Sequence, residues 1–207
     1  MFSTITISII VITCLVSIAG FSSPRIIDDL IFWPPGISKN HQYYRFLTCG
    51  LIHADYMHLA FNMFTLYFFG KAMEVLYMGE LGLPHYTFLV LYLGALVASL
   101  LPTYFKHRND PNYRSLGASG AVSAVIFAFI LLQPWWTIYL FFIPIPSIIY
   151  AALFLGYSIY MARRGGDYIN HDAHFWGALF GIAYTIMVRP QVINQFFREL
   201  SHPHFNI

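Results

Sequence analysis

The sequence predicts an all-α polytopic membrane protein with six transmembrane helices. Three observations predict it. The 207 residues are 58% hydrophobic and 19% aromatic but only 10% charged, too apolar for a soluble domain of this length. Several stretches approach or exceed the ~18–20 apolar residues that a spanning helix needs. The run from Leu116 to Ala162 holds no Asp, Glu, Lys or Arg. A formal charge of +2, spread over several loops, gives no footprint for nucleic acid. Two cysteines, Cys14 and Cys49, do not make a disulfide framework.

The first span covers about residues 3–21. No Lys or Arg precedes it and it is longer than a signal-peptide core, so it reads as a retained helix. From Ser22 to Asp55 the chain is mixed. Ser23-Pro24 and Pro34-Pro35-Gly36 break regular structure. Phe32, Trp33, Tyr43 and Tyr44 alternate with Asp28, Asp29 and Arg45, as in a long loop with short helices at the membrane interface. The second span covers about 57–77, with Lys71 and Glu74 placed to pair near its end. The third covers about 85–101 and is expected to stop at Pro102. A polar loop follows, Thr103 to Ser115. The fourth span, about 116–133, opens on the small-residue turn Leu116-Gly117-Ala118-Ser119-Gly120-Ala121. Trp135, Trp136 and Tyr139 suit an interface, and Pro144 and Pro146 interrupt the pattern. The fifth span therefore covers about 146–162 and ends at Arg163-Arg164; the sixth covers about 173–188 and ends at Arg189-Pro190. With no internal repeat, residues 1–207 read as one domain.

Six alternating spans start helices two, four and six on one side. His58 and Asn62 then fall in the first turns of helix two, Ser119 in that of helix four, and His174 in that of helix six. A serine among glycines at a helix start is ordinarily a packing residue. It can also be a nucleophile, because glycines let the backbone turn and leave N–H groups for an oxyanion. His58 and Asn62, four apart, share one helix face and both donate; one such donor is worth ~3 kcal/mol to a transition state. Gly177 and Gly181 permit close approach of helix six to another helix. If that helix is the fourth, through Gly117, Ala118, Gly120 and Ala121, His174 reaches Ser119 as a base with an ordinary pKa near ~6.5. The alternative is a metal held by His53, His58, His171 and His174. Against it stand the lack of HExxH and the absence of carboxylates inside the spans on that side, with only Asp55 and Asp172 at the loop ends. Ser123 reads as back-bonded to its own helix.

From about Tyr44 to Gly181 the sequence resembles the rhomboid intramembrane serine proteases in their bacterial six-helix form. The resemblance is carried by Tyr44-Arg45, His53, His58-Leu59-Ala60-Phe61-Asn62, Gly117-Ala118-Ser119-Gly120, Ala173-His174-Phe175-Trp176-Gly177 and Gly181. It implies a rhomboid-like bundle with Ser119 as nucleophile and His174 as base, a dyad without the usual carboxylate. His58, Asn62 and the Ser119 backbone N–H would form the oxyanion hole. Gly117, Gly120, Gly177, Gly181, Arg45 and His53 would be structural. It implies single-pass transmembrane proteins as substrates and membrane lipid as surroundings, with no cofactor, metal or nucleic acid. It also implies a bacterial inner membrane with the site opening away from the cytoplasm. Tyr44 stands where the family has tryptophan. Ser123 stands where an aromatic residue often stacks on the catalytic histidine, so His174 is expected to be oriented by Trp176 or by a hydrogen bond. Arg25, Lys39, Arg45, Lys106, Arg108, Arg114, Arg163 and Arg164 on the site side outnumber Lys71, Arg189 and Arg198 opposite. The positive-inside rule would turn the site to the cytoplasm; helix count and site depth favour the family's placement. The other readings are a non-catalytic rhomboid-like protein that binds membrane clients, a histidine metalloenzyme and a six-helix transporter. The fifth helix and the first loop are the candidate gates.

Overall fold

The computed structural model describes residues 4–140, 142–166 and 169–203 and is mostly helical. Ser3, where the first predicted span begins, lies outside the described residues. An uncharged apolar run with no proline makes α1 (Thr4–Ser22). Prolines in the first turns open α2 (Pro24–Leu30) and α3 (Pro34–Asn40), where a missing N–H costs no helical bond. Then come α4 (Arg45–Thr48), a 3-10 turn at Cys49–Leu51, α5 (Tyr56–Val75) and α6 (Tyr86–His107). The second half holds α7 (Ser119–Leu132), α8 (Ser147–Arg164), α9 (His171–Val188) and α10 (Val192–Leu200).

Helix α7 is the axis. Every residue from Gly120 to Leu132 is buried, and α5, α6, α8 and α9 all pack on it, α9 most extensively. Its 14 residues span ~21 Å at 1.5 Å each, well short of the ~30 Å of a hydrocarbon core. By length and composition α1 and α6 can each cross a membrane. Helices α5 and α9 have similar length but carry His58, Asn62, His171, Asp172 and His174, which lower their mean hydropathy.

Four predicted features are corrected. Helix α6 does not stop at Pro102; it continues to His107. Proline removes one helical hydrogen bond, and contacts beyond it hold the last turn: Thr103 bonds Asn170 at 3.3 Å and Tyr104 lies edge-on to Phe46. Glu74 does not pair with Lys71. It is 1% exposed and accepts from the backbone N–H of Thr6 at 2.8 Å and from the Thr6 hydroxyl. A carboxylate among unpaired N–H groups at a helix start is favourable, so Glu74 caps α1, while Lys71 turns to the Tyr67 ring and hydroxyl. The fourth helix starts at Ser119 rather than Leu116. The segment before α8 is a hairpin of β1 (Thr137–Leu140) and β2 (Ile143–Pro146). Two-stranded ribbons have only edges, where prolines are tolerated, so Pro144 and Pro146 did not exclude a strand.

The first loop is tied down by one buried guanidinium. Arg45, 5% exposed, donates to the carbonyls of Asp28 at 2.8 Å and Ile31 at 2.7 Å and to Gln42 Oε1 at 2.6 Å. Its Cζ lies 5.6 Å from the Tyr44 ring centroid. Phe32 and Ser115 exchange backbone hydrogen bonds of 3.0 and 3.1 Å, fastening this loop to the segment that leads into α7. Arg45→Ala leaves buried carbonyls unpaired and is expected to cost about 2–3 kcal/mol, read as a lowered midpoint of denaturant unfolding in micelles.

Candidate active site

Helix caps explain where the polar groups converge. Asp55 caps α5, its carboxylate accepting from His58 N at 2.8 Å. Asn170 caps α9, accepting from Ala173 N at 3.0 Å. Helix α7 has Ala118 at its cap position and no side-chain cap, so its first N–H groups keep their hydrogen-bonding capacity. The partial positive charge of a helix start adds to them. His174 Nε2 lies 2.8 Å from Ser119 Oγ at that point, with both residues half-buried.

The starts of α7 and α9 can approach because glycine faces backbone. A Cβ on Gly177 would overlap the carbonyl oxygen of Gly120, and one on Gly181 that of Ala124. A Cβ on Gly120 would lie 2.5 Å from Ser99 Oγ on α6. Gly117 has φ +110 and packs on His58, whose Nε2 would lie 2.9 Å from a Cβ there. His58 Nδ1 accepts the Ala54 N–H at 3.4 Å, which leaves the proton on Nε2, on the side of the ring that faces Gly117. Asn62 is buried and gives one amide hydrogen to His58 O at 3.0 Å; an amide has a second.

His53 is fully buried and both ring nitrogens are engaged, Nδ1 with Ser17 Oγ at 3.0 Å and Nε2 with Ala118 N at 3.4 Å. The four histidines form two pairs, His53–His58 with centroids 4.9 Å apart and His171–His174 at 5.8 Å. Among the described residues no group of three or more His, Cys, Asp or Glu has a metal-holding arrangement.

Three contributors were missed in the sequence. Trp176 does not meet His174; it is exposed and packs on Phe175. Phe154 of α8 does, with centroids 5.9 Å apart at 35°, and Tyr150 stacks behind it. Nothing in an apolar helix marks one aromatic residue as facing a histidine on another helix. Ser17 is likewise a lone hydroxyl in an apolar run. Asn170 could have been found, since Asn before an apolar-periodic segment is a cap signal. Ser123 does bond back to Ser119 O, at 2.8 Å.

Burial lowers the His53 pKa to about 3, with His58 adding to the effect and Asp55 opposing it. The unfolded chain therefore takes up a proton on His53 below ~6.5 that the folded chain refuses. The contribution is complete above ~6.5 and falls with pH down to about 3. Stability is expected to drop by on the order of 2 kcal/mol from this group between pH 7 and pH 5. Unfolding curves at the two pH values check this, since His53→Gln should shrink the difference.

A Rhomboid domain family model matches residues 40–191. The chain belongs to the rhomboid family. The match covers the site-bearing helices and omits α1. RHOMBOID-like protein 12, mitochondrial, of Arabidopsis thaliana is 31% identical over 157 residues, 68% of this chain and 45% of that protein. Rhomboid protein 1, mitochondrial, of Saccharomyces cerevisiae is 30% identical over 155 residues, 72% of this chain and 43% of that protein. Rhomboid-like protein 11, chloroplastic, of Arabidopsis thaliana is 31% identical over 176 residues, 74% and 58% respectively. This rhomboid spans about half the length of the curated relatives it matches. Their names place them in mitochondria and chloroplasts, so the bacterial inner membrane expected from the sequence has no support among them.

Proposed function

We propose that this rhomboid is an intramembrane serine endopeptidase that hydrolyses peptide bonds in or near the transmembrane segments of single-pass proteins. The observation that carries the proposal is the 2.8 Å contact of Ser119 Oγ with His174 Nε2 at an uncapped helix start. As Oγ attacks the carbonyl carbon, His174 Nε2 takes the hydroxyl proton. The oxyanion is met by the Ser119 N–H, His58 Nε2–H and the second Asn62 amide hydrogen. Collapse breaks the C–N bond, and His174 returns the proton to the leaving amine. A water then gives its proton to His174 and attacks the acyl ester; His174 reprotonates Ser119 as the acid product leaves. Phe154 holds the imidazole ring in place of an aromatic residue at position 123.

The setting is a six-span bundle of α1, α5, α6, α7, α8 and α9 in an organellar or bacterial membrane, with the site opening away from the cytoplasm or its equivalent. Because α7 is short, Ser119 lies below the membrane surface on that side. We assign the gate to α8 rather than the first loop. Helix α8 fully buries only Ser147, Ala151 and Ser158, with Ile148, Tyr150, Phe154 and Leu155 half-buried on the core. Its displacement therefore forfeits less packing than that of α7 and frees the Phe154 ring from His174, whereas Arg45 and the Phe32–Ser115 pair pin the loop.

The test is cleavage of a single-pass substrate with small residues near one end of its span, co-reconstituted in liposomes. Cleavage by the parent, absent in Ser119→Ala and indifferent to chelator, supports the proposal. Cleavage that survives Ser119→Ala, or that chelator removes, overturns it. If the parent is silent, labelling of Ser119 by a fluorophosphonate separates a wrong substrate from an inert protein.

A further inference from the structure

The turn that carries Ser119 is fastened to the first loop by two hydrogen bonds. Gly117 N–H donates to Cys49 O at 2.9 Å and Ala118 N–H to His53 Nε2 at 3.4 Å. The second requires a bare lone pair on Nε2, so His53 must carry its proton on Nδ1. Ser17 decides which nitrogen is protonated. Its hydroxyl has one hydrogen, and Leu51 O, 2.8 Å away, can only accept it. Toward His53 Nδ1, at 3.0 Å, Ser17 Oγ can therefore only accept. The proton sits on Nδ1, and Nε2 is left open for Ala118.

We propose that Ser17 of α1 is a positioning residue for the nucleophile turn, selecting the His53 tautomer that holds the Ala118 N–H. Ser17 and His53 are both 0% exposed, so bulk water does not substitute for a missing partner. Without the hydroxyl, the present tautomer strands a buried Nδ1–H. The other tautomer sets Nε2–H against the Ala118 N–H, donor against donor. Either arrangement loosens the Gly117–Ala118 peptide, one residue before the peptide that carries the Ser119 N–H, and with it the direction of that N–H. Helix α1 lies outside the family match at residues 40–191, yet through Ser17 it reaches the catalytic turn.

The activity readout rests on the proteolysis proposed above; the second readout does not. Parent, Ser17→Ala and Ser17→Thr proteins are compared in liposomes for kcat and KM. Their histidine ring nitrogens are followed by 15N NMR, with His53 assigned from its loss in His53→Gln. The parent is expected to show His53 as the Nδ1–H tautomer alone. Ser17→Ala should show mixed tautomers and a kcat about tenfold lower, ~1.4 kcal/mol, with KM changed less than about twofold. Ser17→Thr, which keeps the hydroxyl, should recover both. A single unchanged tautomer in Ser17→Ala overturns the proposal, as does a kcat loss that persists in a Ser17→Thr protein with the parental tautomer. If the added methyl of threonine lowers the melting temperature, the tautomer population of folded Ser17→Ala decides alone. A parent that cleaves nothing leaves kcat unread; fluorophosphonate labelling then judges the protease reading, and the NMR comparison alone judges Ser17.

Discussion

His174→Ala is expected to lower the single-turnover cleavage rate about 10⁴–10⁶-fold, and Ser119→Ala by a similar factor, with the double variant no worse than either. The two side chains share one proton across 2.8 Å. Removing the imidazole leaves a hydroxyl with nowhere to send its proton, and removing the hydroxyl leaves a base with nothing to activate. Non-additivity is therefore the signature of a unit. On the proposed mechanism, what rate remains comes from the oxyanion donors at the start of α7 and from substrate binding, neither of which either change touches. Losses that multiply in the double variant would mean that the residues act in separate steps. Binding of substrate, read from KM when chemistry is slow, should hardly move, because in the proposed mechanism both groups act on the transition state.

Gly177→Ala is expected to destabilise the folded protein by roughly 3 kcal/mol, the upper end for overpacking. The added methyl would overlap the Gly120 carbonyl oxygen, with the Gly120 carbonyl carbon at 2.9 Å and its Cα at 3.2 Å. These are backbone atoms of a buried helix and have no rotamer with which to give way. Helices α7 and α9 must part, and the Ser119–His174 contact lengthens with them. Gly156→Ala on α8 is the control, since nothing lies within 4 Å of its Cβ position. There the substitution should be neutral or stabilise by about 0.5–1 kcal/mol through helix propensity. Thermal unfolding in micelles distinguishes the two; equal melting temperatures would mean that α9 is not seated as tightly on α7 as its glycines indicate. Fluorophosphonate labelling of Ser119 should fall in Gly177→Ala protein that remains folded and be untouched in Gly156→Ala.

The relation between chain and fold is uneven along the molecule. Except at the hairpin that holds Pro144 and Pro146 before α8, long apolar runs declare helices, because the preference of side chains for lipid or core is local in the sequence. The same holds for the first turns of α5, α7 and α9, since a helix start with His, Asn or Ser in an otherwise apolar run is visible without coordinates. Gly177 and Gly181 announce close packing by their spacing, and the meeting of His174 with Ser119 follows once α9 is laid on α7. Other features depend on atoms far apart in sequence. Pro102 reads as a stop because its missing N–H is local, but Asn170, 68 residues on, and Phe46 keep the helix going. Glu74 and Lys71 look like a pair because they are three apart. Yet the N–H groups of α1 offer a buried carboxylate more than a half-buried lysine turned to Tyr67 can. Phe154 and Ser17 act on the site through one ring face and one hydroxyl, and no periodicity marks them. Apolar patterning specifies which residues leave water. Which hydrogen-bond partner each buried polar group takes is settled only when distant helices meet and its alternatives are excluded by distance.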